Sequence, residues 1–250
     1  MKAIIALALA AHCWAGNAAA SESPSAANLL PALRPYVEEV AREVHTIPAP
    51  RKVVLGEIAA AIVARLEGGD EAHLTFICTH NSRRSHMSQI WLQTAAIYYG
   101  FNKVQAWSGG TEVTACNLRT VTAMRRVGFD IQDATKGDNP LYLVRYAEDR
   151  PPISAYSKRY DADANPKRDF IALMTCSNAD KSCPSVQGAI ARFAIHYADP
   201  RLCDDTPTEA TAYNERCREI AREMFYILSE VRRRLDERAR PESGAGRSDR

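Results

Sequence analysis

Apolar residues recur along the first seventy positions with the spacing of two amphipathic helices. Their apolar faces consist of Leu33, Val37, Val40 and Val44 in the first helix and Leu55, Ile58, Ile62 and Leu66 in the second. Pro48 and Pro50 separate the two helices, and Gly68 and Gly69 end the second. We therefore expect residues 21–70 to form a short linker and a two-helix extension that packs on a main domain.

The next hundred residues alternate between short apolar runs and helical periodicity. Strands are predicted over HLTFIC (73–78), KVQAWSGG (103–110), DFIALMTC (169–176) and RFAIHY (192–197). Helices are predicted from about Arg84 and over residues 116–127. Strand and helix in alternation imply parallel strands with right-handed crossovers. The predicted fold class is α/β, an open parallel sheet of about four strands flanked by helices.

Two features complete the predicted domain, which spans residues 71–237. The segments LYLVRY and ISAYSKRY flank the turn-forming AEDRPP, which indicates a hairpin-like insertion at about 133–169. The closing helix carries an apolar stripe of Tyr213, Cys217, Ile220, Met224, Ile227, Val231 and Leu235. Residues 238–250 are rich in Arg, Ser and Gly, and we expect a disordered tail there.

Charge and the N-terminus narrow the class of protein. The 250 residues carry a net charge of only +2, which disfavours a dedicated nucleic-acid or membrane-surface binder. Lys2, an apolar stretch over residues 3–11 and three alanines before Ser21 have the layout of a signal peptide over residues 1–20. We expect an exported, periplasmic protein without membrane insertion after cleavage.

The cysteines then need an explanation one by one. Six of the seven remain once Cys13 is removed with the signal, and an even number in an oxidising compartment is typical of structural disulfides. However, the chain is long enough to bury a full core and does not depend on such bonds. Cys217 lies on the apolar stripe, which favours a core position, and Cys116 is interpreted as structural.

Cys78 ends an apolar strand and is followed by a polar turn into a helix. Backbone N–H groups of such a turn favour an anion, and the same field favours the nucleophilic thiolate. Arg84 can bind two oxygens of a tetrahedral oxyanion with its planar fork. The spacing C-x₅-R thus predicts a nucleophile beside an oxyanion clamp. The alternative is a buried strand-end cysteine with a solvent-facing arginine.

The segment CTHNSRRS (78–85) resembles the phosphate-binding loop of low-molecular-weight protein-tyrosine phosphatases and of thioredoxin-coupled arsenate reductases. The resemblance continues through SGGTE (108–112) and covers roughly residues 72–236. It implies that Cys78 is the nucleophile, that Arg84 binds the oxyanion, and that Asn81 and Ser85 shape the loop. The implied oxyanion-binding residues are Thr79, His80, Asn81, Ser82, Arg83 and Ser85. Because the family usually has glycine at the position of His80, a left-handed backbone is expected there.

Cys176 and Cys183 lie seven residues apart after another strand end. A zinc site would need closer spacing and a second ligand pair, so a structural disulfide and a redox relay stay open. The arsenate reductase resemblance implies the relay, Cys78 to Cys176 to Cys183. It also implies that Asp199, followed by Pro200, protonates the leaving oxygen, with Asp204 and Asp205 as nearby alternatives.

Three functions remain at this point. The first is an arsenate reductase without bound cofactor or metal, which draws electrons from an external thioredoxin-like thiol. The second is a phosphatase acting on phosphotyrosine or small phosphate esters, for which Cys78, Arg84 and Asp199 suffice. The third is a non-catalytic oxyanion- or partner-binding module with structural disulfides. A pure binder needs neither nucleophile nor acid, which disfavours the third.

Overall fold

The computed structural model of the chain describes residues 24–240. The predicted signal peptide and residues 241–250 of the predicted tail lie outside the described residues. The helices are α1 (Arg34–Glu43), α2 (Ala49–Glu67), α3 (Arg84–Tyr98), α4 (Leu118–Arg126), α5 (Ser177–Ser182) and α6 (Glu209–Ala239). The strands are β1 (Ala72–Cys78), β2 (Val104–Gly110), β3 (Asp130–Asp133), β4 (Tyr142–Arg145), β5 (Ile153–Ala155), β6 (Phe170–Met174) and β7 (Ala189–Ala194). Two 3₁₀ turns, Val44–Thr46 and Pro200–Cys203, complete the described elements.

The main sheet has four parallel strands in the order β2-β1-β6-β7, which confirms the predicted fold class. Its central strand β1 is almost fully buried, as its continuous apolar run requires in a sheet covered on both faces. Cys78 pairs with Gly110 in the register between β1 and β2. The carboxyl ends of β1 and β6 therefore bring the predicted loop and the Cys176 segment to the same edge of the sheet.

The two predicted helices of the N-terminal extension are present and pack on α6. Val37 and Val40 of α1 and Leu55 and Ile58 of α2 are fully buried. Residues before α1 are also attached to the domain, since Leu29 is buried and forms an isolated antiparallel bridge with Ala147. The part of the predicted linker nearest to α1 is thus packed.

The insertion is an antiparallel three-stranded sheet in the order β3-β4-β5. Strands β4 and β5 form the predicted hairpin. Strand β3 (DIQD) was not predicted because only Ile131 of its four residues is buried, so it lacks an apolar pattern. The insertion continues through residues 156–165, which run back past the carboxyl end of β2.

Helix α6 is two residues longer than predicted and ends at Ala239, inside the stretch expected to be a tail. Helix α3 begins at the predicted Arg84 but is buried on nearly all sides instead of on one face. The reason is that α6 and β2 cover it from different directions. Within residues 24–240 no helix combines the length and the apolar character that a membrane span requires.

Candidate active site

The turn between β1 and α3, residues 78–85, carries the predicted nucleophile and clamp. Cys78 is the last residue of β1 and is 3 % exposed. Its Sγ lies 3.1 Å from Ser85 Oγ in the first turn of α3. A hydroxyl at this distance can donate to the sulfur and stabilise a thiolate. Both residues therefore occupy the positions that the resemblance implies.

Asn81 holds this turn in shape from inside. Its Nδ2 donates to Ser85 Oγ (2.9 Å), and its Oδ1 accepts from the backbone N–H of Lys158 (3.0 Å). Its φ is 45°, in the left-handed region that asparagine tolerates better than most residues. The left-handed residue of the loop is thus Asn81, and the expectation for His80 is wrong. His80 has a negative φ, and its Nε2 lies 3.3 Å from Glu112 Oε2.

The backbone of the loop is oriented so that its carbonyl groups face outward. Three of these carbonyl oxygens accept hydrogen bonds: Thr79 O from Glu112 N (2.8 Å), His80 O from Ser157 Oγ (2.8 Å) and Ser82 O from Asn117 N (3.0 Å). Within residues 24–240, the backbone N–H groups of residues 80–83 donate to no protein acceptor. The first N–H groups of α3 add to them, because a helix leaves its initial donors without intrahelical partners. The loop therefore presents several donors to one anion.

Two of the three guanidinium nitrogens of Arg84 donate hydrogen bonds, and the third has no partner among the described residues. Its Nη1 donates to the carbonyl of Tyr197 (3.0 Å), and its Nη2 donates to Asp199 Oδ2 (2.5 Å). Its Nε is buried and has no hydrogen-bond partner among the described residues. A buried guanidinium donor without a partner is costly, so an oxyanion accepting from Nε would be stabilised.

Among the three acidic candidates, Asp199 is the one bonded to Arg84. It also caps the following 3₁₀ turn, since its Oδ1 accepts from Arg201 N at 3.1 Å. The alternative Asp204 is engaged by Arg83 Nη2 (3.1 Å) and by the Tyr213 hydroxyl (2.8 Å). Asp205 is exposed and pairs with Arg119. The geometry therefore favours Asp199 over the other two as the acid.

Arg83 points away from Arg84 and joins two segments that are distant in sequence. Its Nε donates to Tyr213 Oη at 2.7 Å, next to its bond to Asp204. Desolvation raises the pKa of Tyr213 to about 12, so its hydroxyl stays protonated and donates to the Asp204 carboxylate. Arg83 thus ties the loop to the segment after Asp199. Its side chain is engaged by Tyr213 and Asp204, so the group of Arg83 available to an oxyanion is its backbone N–H.

Cys176 and Cys183 cap the two ends of the six-residue helix α5. Cys176 Sγ accepts from Ala179 N (3.4 Å) and lies 3.5 Å from Thr79 Oγ1 of the loop. All six cysteines of the described residues are free thiols. Cys78 and Cys176 belong to one small apolar cluster, against which Cys183 packs. Cys78 and Cys176 therefore lie at the same edge of the sheet, and Cys183 packs against the same apolar cluster.

The other three cysteines are not part of this group. Desolvation raises the pKa of Cys217 and of Cys116 to about 12, so both are inert thiols. Cys217 accepts a hydrogen bond from Trp91 Nε1 (3.2 Å) in the core, as its place on the apolar stripe predicts. Cys203 is half-buried in the 3₁₀ turn after Asp199. Among residues 24–240 no three His, Cys, Asp or Glu side chains are grouped as a metal site would need.

Sequence reasoning missed the residues of the insertion that support the loop. Ser157 and Lys158 bond His80 and Asn81 across 77 positions of sequence. Nothing in the local pattern of SKRY indicates this contact. Gly110 was seen only as part of a turn, but a Cβ there would come within 2.7 Å of Thr79 O and 2.8 Å of Asn81 N. Glycine is required because the loop backbone passes directly over it.

Several known proteins are similar to this chain. The arsenate reductase of Brevibacillus brevis is 32% identical over 125 residues, which are 50% of this chain and 74% of that protein. The arsenate reductase of Bacillus subtilis is 28% identical over 144 residues, 58% of this chain and 85% of that protein. A comparison with protein-family models found no match.

Two solved structures were also found to be similar. The low-molecular-weight phosphotyrosine phosphatase of Vibrio cholerae superposes with a TM-score of 0.46 at 12% identity, over 68% of this chain and 99% of that chain. The thioredoxin-dependent arsenate reductase of Corynebacterium glutamicum superposes with a TM-score of 0.39 at 14% identity, over 81% of this chain and 98% of that chain.

A parallel α/β sheet with a cysteine-and-arginine oxyanion loop at the end of its central strand defines a cysteine-dependent enzyme of the arsenate reductase or phosphatase kind. The chain belongs to the arsenate reductase family.

Proposed function

We propose that the protein reduces arsenate to arsenite through the thiols of Cys78, Cys176 and Cys183. The observation that carries the proposal is the contact between Cys176 Sγ and Thr79 Oγ1 (3.5 Å), which puts a second thiol beside the nucleophile's own loop. Neither phosphoester hydrolysis nor oxyanion binding needs that thiol. A reduction needs it, because two electrons must reach arsenic from a pair of sulfurs.

The first step is the attack of the Cys78 thiolate on arsenic. The loop N–H groups and Arg84 hold the arsenate oxygens, and an oxygen leaves as water after protonation. Asp199 supplies that proton in this proposal. In the free site its carboxylate is bonded to Arg84, so arsenate oxygens compete with it for the guanidinium. Once arsenate takes that position, Asp199 is released from Arg84, takes up a proton from solvent water and donates it to the leaving oxygen.

The second step transfers the electrons. The Cys176 thiolate attacks Cys78 Sγ, the sulfur–arsenic bond breaks with its electron pair moving to arsenic, and arsenite leaves. Cys183 then attacks Cys176, which frees Cys78 and forms a Cys176–Cys183 disulfide. An external dithiol of thioredoxin-like chemistry reduces that bond. The sum is arsenate plus a dithiol giving arsenite, water and a disulfide.

Helix α5 must open for this sequence to proceed. Cys176 Sγ is the N-cap of the helix and Cys183 is its C-cap, so the two thiols are held at opposite ends. When Cys176 bonds to Cys78, its sulfur no longer accepts from Ala179 N, and the helix loses its cap. Loss of the cap loosens a helix of only six residues and lets Cys183 approach Cys176.

Single-turnover arsenite release from fully reduced protein tests the proposal. Wild type should release one equivalent, Cys176→Ser none, and Cys183→Ser one equivalent with a trapped Cys78–Cys176 disulfide. Cys203→Ser is the matched control and should behave as wild type, because Cys203 is half-buried and lies outside the apolar cluster that contains Cys78 and Cys176. Arsenite release by Cys176→Ser at the wild-type rate would eliminate the relay.

A phosphatase is the second candidate, because Cys78, Arg84 and Asp199 form a complete hydrolytic set without the other cysteines. Hydrolysis of para-nitrophenyl phosphate, followed in the same samples, separates the two. If Cys176→Ser keeps ester hydrolysis and loses arsenite, the reductase assignment stands. If wild type hydrolyses the ester and never yields arsenite, the protein is a phosphatase.

We also propose export to the periplasm, on the strength of the predicted signal over residues 1–20. The reductant would then be a periplasmic dithiol protein. Mass spectrometry of the protein from a periplasmic fraction should find Ser21 as the first residue. An intact N-terminus in a cytoplasmic fraction would contradict this location and would leave the thiol chemistry untouched.

A further inference from the structure

A cavity of about 420 Å³ lies between the insertion and the edge of the main sheet. It is lined by side chains of α3, β2 and the insertion, among them Gln89, Trp107, Pro152, Ile153, Tyr156 and Lys158. No residue of the oxyanion loop lines it. The cavity is therefore distinct from the site described above.

Lys158 supplies the only charged side chain among the residues that line this cavity. The residue is 7 % exposed, and its Nζ lies 4.8 Å from the centre of the Tyr156 ring. Among residues 24–240 its ammonium has no hydrogen-bond or ion-pair partner. The ionisable groups that face it are His86, whose pKa burial lowers to about 3, and Cys116, whose pKa burial raises to about 12. Both are neutral at pH 7, so neither supplies a counter-charge to the Lys158 ammonium.

Gln89 adds an unused acceptor to the same cavity. The residue is 5 % exposed, and its Nε2 donates to the carbonyl of Ala106 (3.1 Å). That bond fixes the orientation of the amide. Its Oε1 is buried and accepts no hydrogen bond from the described residues. A buried acceptor without a donor is unfavourable.

We propose that this cavity is a binding site for a small organic carboxylate that also carries a hydroxyl or amide donor. The carboxylate accepts from the Lys158 ammonium, and the donor is accepted by Gln89 Oε1. The apolar part of the ligand packs against Trp107, Pro152 and Ile153. Each unpartnered group then has a partner, and the apolar lining is covered.

The site is adjacent to the catalytic loop through a single residue. The backbone N–H of Lys158 donates to Asn81 Oδ1 (3.0 Å), and Asn81 in turn bonds Ser85. Binding itself is measurable without turnover, so the test does not depend on the reaction proposed above.

Isothermal titration of the wild-type protein with 4-(hydroxymethyl)benzoate tests the site. We expect saturable binding that about 20 mM inorganic phosphate does not displace, since phosphate is expected to bind at the oxyanion loop instead. The matched ligands are benzene-1,4-dimethanol, which lacks the carboxylate, and 4-methylbenzoate, which lacks the donor. Each should bind about tenfold more weakly or worse, because a hydrogen bond to a buried charged or polar group is lost.

Two variants place the ligand in the cavity. Lys158→Met keeps the length of the side chain and removes the charge, and it should weaken binding at least tenfold, whereas the exposed Lys136→Met should not. Ser154→Trp keeps Lys158 and fills the cavity from an exposed position of β5, so it should abolish binding. It also tests whether the ligand binds in this cavity if Lys158→Met fails to fold. No heat up to about 10 mM ligand, equal binding by both cavity variants, or displacement by phosphate would each overturn the proposal.

Discussion

The N-terminal extension is coupled to Arg84, the proposed oxyanion clamp, through one ion pair with a buried carboxylate. Arg51 of α2 donates from Nε and Nη2 to the two carboxylate oxygens of Glu223 (2.7 and 2.8 Å). The Tyr197 hydroxyl also donates to Glu223 Oε2 (2.7 Å), and the Tyr197 carbonyl accepts from Arg84. We therefore expect Arg51→Met to destabilise the fold and to disturb the site, although Arg51 belongs to no predicted catalytic motif.

The magnitude follows from the burial of the two partners. Glu223 is 4 % exposed, so the substitution leaves a buried carboxylate with only the Tyr197 hydroxyl as donor. Removing one partner of a fully buried pair costs about 3–5 kcal/mol. The Arg51 side chain is 23% exposed, and water that reaches the vacated position offsets part of this cost. We expect the free energy of unfolding to fall by about 2–3 kcal/mol, which for a domain of this size lowers Tm by roughly 5–10 °C.

Urea denaturation of the wild type, the two single variants and the double variant measures this pair directly. Arg51→Met/Glu223→Met should lose less stability than the sum of the single variants, because no charge is left unpaired. Arg218→Met is the matched control: it removes another arginine bonded to a glutamate of the extension, Glu43, in a more exposed pair. It should cost about 1 kcal/mol or less. A cost below about 1 kcal/mol for Arg51→Met, or strict additivity in the double variant, would refute the reasoning.

Three further changes test the loop and its surroundings. Asn81→Ala removes two hydrogen bonds and places an alanine at a φ of 45°. Arsenite release and ester hydrolysis should therefore both fall about 100-fold, although Lys158 is not substituted. Burial lowers the pKa of Lys158 from 10.5 to about 8, so the unfolded chain binds the proton that the folded chain has lost between these values. The unfolding free energy of wild type minus that of Lys158→Met should therefore rise by about 2–3 kcal/mol from pH 7 to 10.5, and a flat difference would contradict this. Gly110→Ala places a Cβ 2.7 Å from Thr79 O and should cost about 1–3 kcal/mol in a melting experiment, whereas Gly56→Ala in α2, with its nearest atom at 3.4 Å, should be neutral or stabilising.

Local patterns were sufficient for the core of the fold and for the strand and the helix on either side of the loop. The apolar run before Cys78 and the periodicity after Arg84 predicted a strand and a helix, and the structure has both at those boundaries. They could not predict that His80 and Asn81 are braced by Ser157 and Lys158, because a contact across 77 positions leaves no periodic signal. They also placed the left-handed residue one position early.

The N-terminal extension and the insertion are both connected to the oxyanion loop by hydrogen bonds. The extension reaches Arg84 through Glu223 and Tyr197, and the insertion reaches Asn81 through Lys158. The nucleophile and its clamp are thus fixed from two sides. Helix α5 is different: it has six residues, Ala179 is its one buried residue, and it is held from outside mainly by Arg192, which bonds Asp180 and the Cys183 carbonyl.

This contrast is what a thiol relay requires. The first thiol must stay in register with a bound oxyanion, because a small displacement weakens every hydrogen bond to the reacting group. The second and third thiols must move, because they begin at opposite ends of a helix and must meet in sequence. A segment with few buried contacts opens at low cost, so rigidity in the loop and ease of opening in α5 are parts of one mechanism. A hydrolase acting through Cys78 alone would need only the first of these properties.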